Sequence, residues 1–377
     1  MNSQPVWRMT DRVTHVCFVA PNAYPLLSNA DYGISCGAEV QQFLIAEALL
    51  KHGHRVTFVV DDFGQEDREV HHSIEVIKGP FRYLGGSNIH FFVDTVKLVL
   101  LLRKIGADFN VLKTPVSLLF AMSLHRRLFG RKLIKIIAHD QDCIRPNNKL
   151  VSKLYPWGTR ALDYTIFQSE HQKQRGLKNL GLKGKVIKNM AHAMNCKCEC
   201  PKKDIDVLWI GSSERRKRPD VFLDLAEQLS QVKFTMVMAD GLDKQFHDQI
   251  EERARSVHNM DYKGFVPYHR TWNLYRRAKI LACTSDAEGF PNIFLQAWQA
   301  SIPVVSLTVD PDNVIRDNRL GFVSGCMDKM KKDINSLLAD ASLRSELGRN
   351  GRDYVQKNHA ADVIAGQFLS LFESLKS

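Results

Sequence analysis

The sequence predicts an α/β protein built from two doubly wound domains, each a parallel sheet with helices on both faces. Three observations carry this. Short, continuously apolar runs alternate with helix-like patterns, which is how strands buried on both faces read. That rhythm breaks at a polar, Lys-rich stretch near 193–204 and then restarts. The chain has 377 residues, which suits two domains of about 100–200 residues each.

In chain order, V-C-F-V-A (16–20) is a first strand, followed by an apolar-periodic helix from about Ala38 to His52. R-V-T-F-V-V (55–60), F-N-V-L-K (109–113), L-I-K-I-I-A (133–138) and Y-T-I-F-Q (164–168) continue the first sheet. The second sheet takes D-V-L-W-I (206–210), a helix near Pro219–Leu229, K-F-T-M-V-M (233–238), K-I-L-A-C-T (279–284) and P-V-V-S-L (303–307). The expected division is an N-terminal domain over 1–192, a linker over 193–204 and a C-terminal domain over 205–357. An amphipathic helix over 358–377 is expected to pack back on the N-terminal domain. Two such domains facing one another would form a central cleft at the carboxyl ends of their strands, where open α/β sheets bind ligands.

Composition narrows the class. Hydrophobic residues make up 44% and charged residues 25% of the chain, as in ordinary globular proteins. The first residues, M-N-S-Q-P-V-W-R-M-T-D-R, lack the apolar core of a signal peptide. The most apolar later stretch, F-F-V-D-T-V-K-L-V-L-L-L (91–102), is broken by Asp94 and Lys97 and is shorter than the roughly 20 residues that span a bilayer. A cytoplasmic location is expected, with the inner face of the plasma membrane as the place of any membrane contact. Among the 8 cysteines, Cys196, Cys198 and Cys200 form a C-x-C-x-C run near His192, without the paired spacing of structural zinc sites; a reduced linker is the better reading. The net charge of +11 favours an anionic partner such as a nucleotide or a phospholipid surface, and no nucleic-acid-binding motif accompanies it. The basic segment H-R-R-L-F-G-R-K-L-I-K (125–135) fits either a membrane surface or, more simply, a helix end running into a buried strand.

Four segments carry candidate chemistry. C-T-S-D-A-E-G-F-P-N-I-F-L-Q (283–296) runs from a strand through a turn into a helix. Glu288 at the strand tip can accept hydrogen bonds from hydroxyls. Pro291 falls early in the helix, where proline is favoured. From Asn292, helical spacing puts Gln296 and Gln299 on one face, beside a helix N-terminus suited to phosphate. W-I-G-S-S-E-R-R-K-R-P-D (209–220) ends a strand at Gly211 and concentrates Arg215, Arg216, Lys217 and Arg218 where a diphosphate leaving group would need neutralising. A-H-D-Q-D-C (138–143) sets His139 at a strand end; its D-Q-D, like D-P-D at 310–312, is a weak metal signal. C-G-A-E-V-Q (36–41) opens the first long helix with Gly37, which permits close approach of backbone to ligand. No G-x-G-x-x-G follows a strand and no G-x-x-x-x-G-K-[ST] occurs, so dinucleotide oxidoreductases and P-loop enzymes lack their main signature.

Together these segments resemble the family-4 glycosyltransferases of the two-Rossmann-domain (GT-B) type over nearly the whole chain. S-D-A-E-G-F-P-N-I-F-L-Q-A-W-Q matches the family's E-x7-E element, I-G-S-S-E-R-R-K-R-P-D its phosphate loop, K-G-F-V-P-Y (263–268) a loop near the base, and C-G-A-E-V-Q its first helix. The resemblance implies a retaining, metal-independent transfer of a sugar from a UDP- or GDP-linked donor to a glycan or lipid-linked acceptor, with no cofactor, in cell-surface polysaccharide or glycolipid synthesis. Glu288, His139 and Lys217 would be catalytic. Glu288 would hold a donor-sugar hydroxyl, His139 would lie against the sugar at the reacting centre, and Lys217 would neutralise the diphosphate. The backbone of Gly289, Phe290, Pro291 and Asn292 would meet the sugar and diphosphate, position 296 the ribose, and Val266 the base. Gly211, Ser212, Arg215, Arg216 and Gly37 would complete the donor site. Three positions depart from the family pattern: Ser212 stands where arginine is common, Gln296 replaces the second carboxylate, and Cys36-Gly37 replaces a glycine pair. An amide bonds ribose hydroxyls without charge, so lower donor affinity is expected. The alternative is a catalytically weak homologue that binds nucleotide or a partner transferase. A sugar-nucleotide epimerase would need further cleft acids and bases that the sequence does not assemble.

Overall fold

A computed structural model describes residues 13–30, 32, 37–81, 88–146, 148–192, 202–241 and 243–376. Its described residues fall into two compact units. One takes those within Met1–Ser28, Ala38–Met190 and Ala361–Ser377, the other those within Asn29–Gly37 and Ala191–Ala360. The cysteine run at 196–200 and Cys36 lie outside the described residues.

In the first unit, the strands β1 (His15–Val19), β2 (Arg55–Val60), β3 (Arg68–His71), β4 (Ile74–Lys78), β5 (Phe109–Leu112), β6 (Lys132–Ile136), β7 (Tyr164–Phe167) and β8 (Gly184–Val186) form one sheet. The order is β3-β4-β2-β1-β5-β6-β7-β8. All neighbours are parallel except β3 and β4, an antiparallel pair at the edge. This hairpin has no counterpart among the predicted strands. Its turn places His72 and Ser73 at φ of 51° and 63°. Turns of that kind usually announce themselves with Asn-Gly or Gly, and here neither is present. The helix Ala361–Lys376 ends the chain in this unit: Phe372 stacks on Phe109 of β5 at 4.5 Å, and Lys376 Nζ donates to Thr14 Oγ1. The basic segment 125–135 is a helix end and a strand. The helix Leu119–Phe129 stops at Gly130 in the left-handed conformation, and β6 follows. Gly130 thus supplies the helix C-terminus that glycine favours.

In the second unit β9 (Ile205–Ser212), β10 (Phe234–Ala239), β11 (Met260–Tyr262), β12 (Ala278–Cys283), β13 (Val304–Ser306) and β14 (Gly321–Val323) form a parallel sheet in the order β11-β10-β9-β12-β13-β14. Alternation along the strands builds a core on each face. Leu208, Leu281 and Val304 pack to one side; Val207, Ile280 and Val305 pack to the other. The order reverses between β9, which pairs with β10, and β12, which pairs with β9 and β13. Loops leaving the carboxyl ends of β9 and β12 therefore stand side by side, at the kind of switch point where such sheets bind ligands.

The helix Asn292–Gln299, which follows β12, is anchored by Trp298. That side chain is fully buried and donates through Nε1 to the Leu320 carbonyl at 3.2 Å. The helix Ala341–Asn358 presses against it through two glycines one turn apart. A Cβ at Gly351 would stand 2.6 Å from Trp298 Cδ1, and one at Gly348 would stand 2.1 Å from the Ser301 carbonyl oxygen. Both contacts require the bare glycine backbone. Replacing Gly348 by Ala is expected to lower the stability of this unit by ~1–3 kcal/mol, the usual cost of overpacking, seen as a lower urea midpoint in equilibrium denaturation.

Candidate functional site

The site of the second unit is two loops sewn together. After β9 the chain makes a single 3-10 turn, Arg215–Lys217, and passes through Arg218 at φ 51° into the helix Pro219–Gln228. After β12 the chain runs Thr284–Pro291 into the helix Asn292–Gln299. Thr284 is fully buried between them. Its hydroxyl accepts from Trp209 Nε1 at 3.0 Å and shares its proton between the carbonyls of Lys217 and Arg218, at 2.9 and 2.8 Å. The Asp286 N–H donates to the Arg216 carbonyl at 2.9 Å. Gly211 belongs to the same scaffold: a Cβ there would meet the Trp209 ring at 2.7 Å.

These backbone ties aim two of the four basic side chains at Glu288. Lys217 Nζ donates to Glu288 Oε1, and Arg216 Nη1 lies 3.0 Å from Oε2. The Glu288 side chain is 5% exposed, against 22% for Arg216 and 21% for Lys217. Burial pushes the Glu288 carboxyl up, but the charges of Lys217 and Arg216, with the Ser285 hydroxyl, outweigh it and hold the group below its ordinary value of 4.5. Arg216 is also fixed by the Ala287 carbonyl at 2.8 Å and by Glu214 at 2.9 Å. Ser212, beside them, donates to Glu214 at 3.0 Å.

The other two cations turn away. Arg215 reaches Asp243 at 2.9 Å and lies 4.3 Å over the Phe246 ring; Arg218 pairs with Asp220 and Asp286. The predicted four-residue basic cluster is thus a pair aimed at Glu288 plus two residues with other partners.

Pro291 is the N-cap of its helix rather than a residue within the first turn, and no side chain caps that end. The Phe290 side chain is buried against His359 and Trp298, and Gly289 before it is buried too. Gln296 is half-buried; its Oε1 accepts from the Tyr275 hydroxyl at 2.6 Å. Tyr275 is fully buried and its phenol is pushed well above the ordinary range, chiefly by burial, so it stays a donor. Among the described residues nothing accepts from Gln296 Nε2, which is left to donate. Gln299 is drawn off to the His192 carbonyl. Val266 is half-buried on the core, between β11 and the helix Tyr268–Arg277. Sequence reasoning missed Thr284 and Tyr275. Thr284 lies within the quoted segment 283–296 but carries no chemistry there on its own, Tyr275 lies outside the quoted segments, and the roles of both come from partners far along the chain.

In the first unit His139 is exposed at the end of β6, at the N-cap of a short 3-10 turn. Asp142 of D-Q-D is engaged there: its Oδ2 accepts from the N–H groups of Ala138 and His139 at 2.9 and 3.3 Å. Asp310 of D-P-D likewise accepts from the Ile315 N–H and pairs with Arg316. Both acidic triplets hold backbone in place, and no group of three or more metal-ligating side chains occurs among the described residues. Gly37 is exposed at the first position of the helix Gly37–Lys51. Two residues on, Glu39 is buried and accepts from Thr114 Oγ1 at 3.4 Å. Nearby Lys113 is also buried; burial pulls its ammonium down to about 8 even though Glu39 and Asp142 oppose the shift.

The fold and this loop pair define a GT-B-type sugar-transferase architecture. The comparisons place the chain within it. A model of the Glycosyl transferases group 1 matches residues 197–354, and a model of Glycosyltransferase Family 4 matches residues 36–190. The chain belongs to the family-4 glycosyltransferases. It is 27% identical over 179 residues to the GalNAc-alpha-(1->4)-GalNAc-alpha-(1->3)-diNAcBac-PP-undecaprenol alpha-1,4-N-acetyl-D-galactosaminyltransferase of Campylobacter jejuni, covering 45% of this chain and 48% of that relative. The match thus spans about half of that relative's length. It is 22% identical to the O-antigen biosynthesis glycosyltransferase WbnH of Escherichia coli, over 78% of this chain and 82% of the relative. Among solved structures, HepE of Anabaena in complex with UDP and glucose aligns with a TM-score of 0.75 at 15% identity, over 96% of this chain and 100% of that one.

The charge cluster makes a prediction about acid. A carboxylate whose folded pKa is depressed contributes stability that is present above its unfolded pKa and lost as the pH falls through the folded one. For Glu288 that window opens at 4.5 and extends below it. Glu288→Gln is expected to lower stability by roughly 1–3 kcal/mol at neutral pH, because Arg216 and Lys217 lose their counter-charge. It should also flatten the fall of the thermal midpoint below pH ~4.5 relative to wild type, measured by calorimetry across an acid series.

Proposed function

We propose that this chain transfers a sugar, with retention of anomeric configuration, from a UDP- or GDP-linked donor to a hydroxyl of a glycan or lipid-linked acceptor. Cell-surface polysaccharide or glycolipid synthesis is the setting. The observation that carries the reading is the pair of cations, Lys217 and Arg216, gathered by Glu288, a few residues before the N-terminus of the helix Asn292–Gln299, which no side chain caps. A diphosphate arriving there competes for those cations and releases the Glu288 carboxylate to accept from sugar hydroxyls. The helix N-terminus adds favourable dipole and N–H donors for the same anion. Gln296 offers its free amide N–H to the ribose. Val266 is assigned to the base, and Gly37 and His139 to the phosphate and to the reacting centre, by the family pattern.

Breaking the bond between the anomeric carbon and the phosphate oxygen sends its electron pair to the nucleoside diphosphate. Lys217 and Arg216 stabilise that developing negative charge, which is the role an electrostatic site performs in the transition state. The acceptor oxygen bonds to the same face of the oxocarbenium-like sugar, and its proton passes to the departing phosphate oxygen. No protein nucleophile enters this scheme, and the leaving group's charge is met by side chains, so the proposal is metal-independent. The names of the relatives support the acceptor class: one includes a PP-undecaprenol acceptor and the other O-antigen biosynthesis. A cytoplasmic protein in peripheral contact with the inner membrane face would meet such acceptors. No helix among the described residues is long and apolar enough to cross a membrane.

A chromatographic screen of nucleotide sugars for released nucleotide, with and without chelator, tests this directly. Turnover that survives chelator is expected, with an axial or equatorial product bond matching the donor by NMR. Glu288→Ala should reduce transfer by ~100-fold or more while the melting profile stays cooperative. Full transfer by that variant contradicts the assignment. Nucleotide binding without turnover by the pure wild type points instead to the weak homologue that Ser212 and Gln296 suggest. Gln296→Glu restores a charged acceptor while keeping the Tyr275 bond, and is expected to tighten nucleoside diphosphate binding by roughly fivefold, the gain of a charge-assisted over a neutral hydrogen bond.

A further inference from the structure

The helix Asn88–Ile105 of the first unit leaves an apolar face uncovered. Phe92, Val96 and Leu100 follow one another at four-residue spacing, with Val93 beside them, and are 52%, 56%, 55% and 45% exposed respectively. Single exposed hydrophobic residues are ordinary, whereas a contiguous stripe marks an interaction surface. The same helix buries Phe91, Leu98 and Leu102 on its other side, so the stripe is a second apolar face and not a frayed core. The neighbouring helix Leu119–Phe129, which meets the first through Phe120 and Phe129, exposes one further large apolar side chain, Leu128, at 59%.

On these two helices the exposed acidic and basic side chains are all basic. Lys97, Arg103 and Lys104 stand on the first helix and Arg127 on the second, all exposed. None of them forms an ion pair with a described residue. Arg103 lies 5.0 Å over the Phe129 ring and Arg127 lies 4.3 Å over the Trp157 ring, which spreads the cations across apolar surface. The two helices carry one carboxylate between them, Asp94, and it is 2% exposed. A second copy of this chain would bring cation against cation. An anionic lipid surface satisfies both halves of the pattern: acyl boundary for the stripe, headgroup charge for the lysines and arginines, whose long stems reach from one to the other.

We propose that this face, Phe92, Val93, Val96, Leu100 and Leu128 flanked by Lys97, Lys104 and Arg127, is where the protein docks on an anionic phospholipid membrane. The proposal deepens the peripheral-membrane part of the proposed function and assigns it a surface. It places docking on the helix Asn88–Ile105 together with Arg127 and Leu128 from the helical part of the basic segment 125–135, whose strand is mostly buried.

Cosedimentation of the full chain with vesicles tests it, using phosphatidylcholine alone and phosphatidylcholine with about one third phosphatidylglycerol. Wild type should bind the anionic vesicles ~10-fold or more tightly than the neutral ones, with binding falling in high salt. The triple variant Phe92→Ser, Val96→Ser, Leu100→Ser and, separately, the pair Lys97→Glu, Lys104→Glu should each lose ~10-fold or more. Unchanged circular dichroism melting guards against misfolding, and the charge pair keeps the test open if the triple variant unfolds. Equal binding by the charge pair and wild type overturns the proposal. So does absence of wild-type binding, or a wild-type dimer that the triple variant dissolves. Stabilisation by nucleoside diphosphate, read on the same samples, reports the donor site separately. Vesicle binding without nucleotide binding leaves the docking surface standing and removes the transferase reading; the reverse does the opposite.

Discussion

The second unit turns on one interaction, the grip of Lys217 and Arg216 on the buried carboxylate of Glu288. A carboxylate with so little solvent access would be costly without paired charge. Two cations nearby reverse that cost and hold it ionised. The loops cannot separate without exposing the pair, and Thr284 and Asp286 lock their backbones so that the side chains meet. The cluster gathers positive charge at a strand switch point and balances it with a buried acid. This is the physical basis for reading it as a nucleoside diphosphate site.

The rest of the unit serves that arrangement. Trp298 and the two glycines of the helix Ala341–Asn358 fix the helix Asn292–Gln299 from behind. Tyr275, buried too deeply to ionise, commits the carbonyl of Gln296 and thereby decides which end of the amide faces outward. In the proposed donor site a glutamate in that position would present an acceptor to the ribose, whereas glutamine would present a donor. The substitution therefore changes the polarity of one contact, not the shape of the wall.

Much of the fold was legible because strands buried on both faces leave unbroken apolar runs. The strands at 16–20, 55–60, 109–113, 133–138 and 164–168, and those of the second sheet, are observed to within a residue or two at most ends. The β3–β4 hairpin was not, since His72 and Ser73 take up positive φ without a glycine or asparagine to signal it. In the site, Glu288 and the basic loop were visible as strand-end features. Their division was not: nothing in R-R-K-R says that Arg215 will find Asp243 and Phe246, or that Arg218 will find Asp220 and Asp286. Those choices depend on tertiary neighbours 28 and 68 residues away in the cases of Asp243 and Asp286. The D-Q-D and D-P-D triplets show the converse. As sequence they hint at metal, whereas in the fold Asp142 of one and Asp310 of the other accept from backbone N–H groups.

Calorimetric titration of nucleoside diphosphate against the matching monophosphate, on wild type and on Lys217→Met, tests the central claim most directly. If the cluster is a diphosphate site, wild type prefers the diphosphate by ~10-fold or more, and the substitution removes most of that preference while leaving monophosphate binding little changed. Equal preference in the two proteins would mean that Lys217 and Arg216 serve only to bury Glu288, and the account would fail.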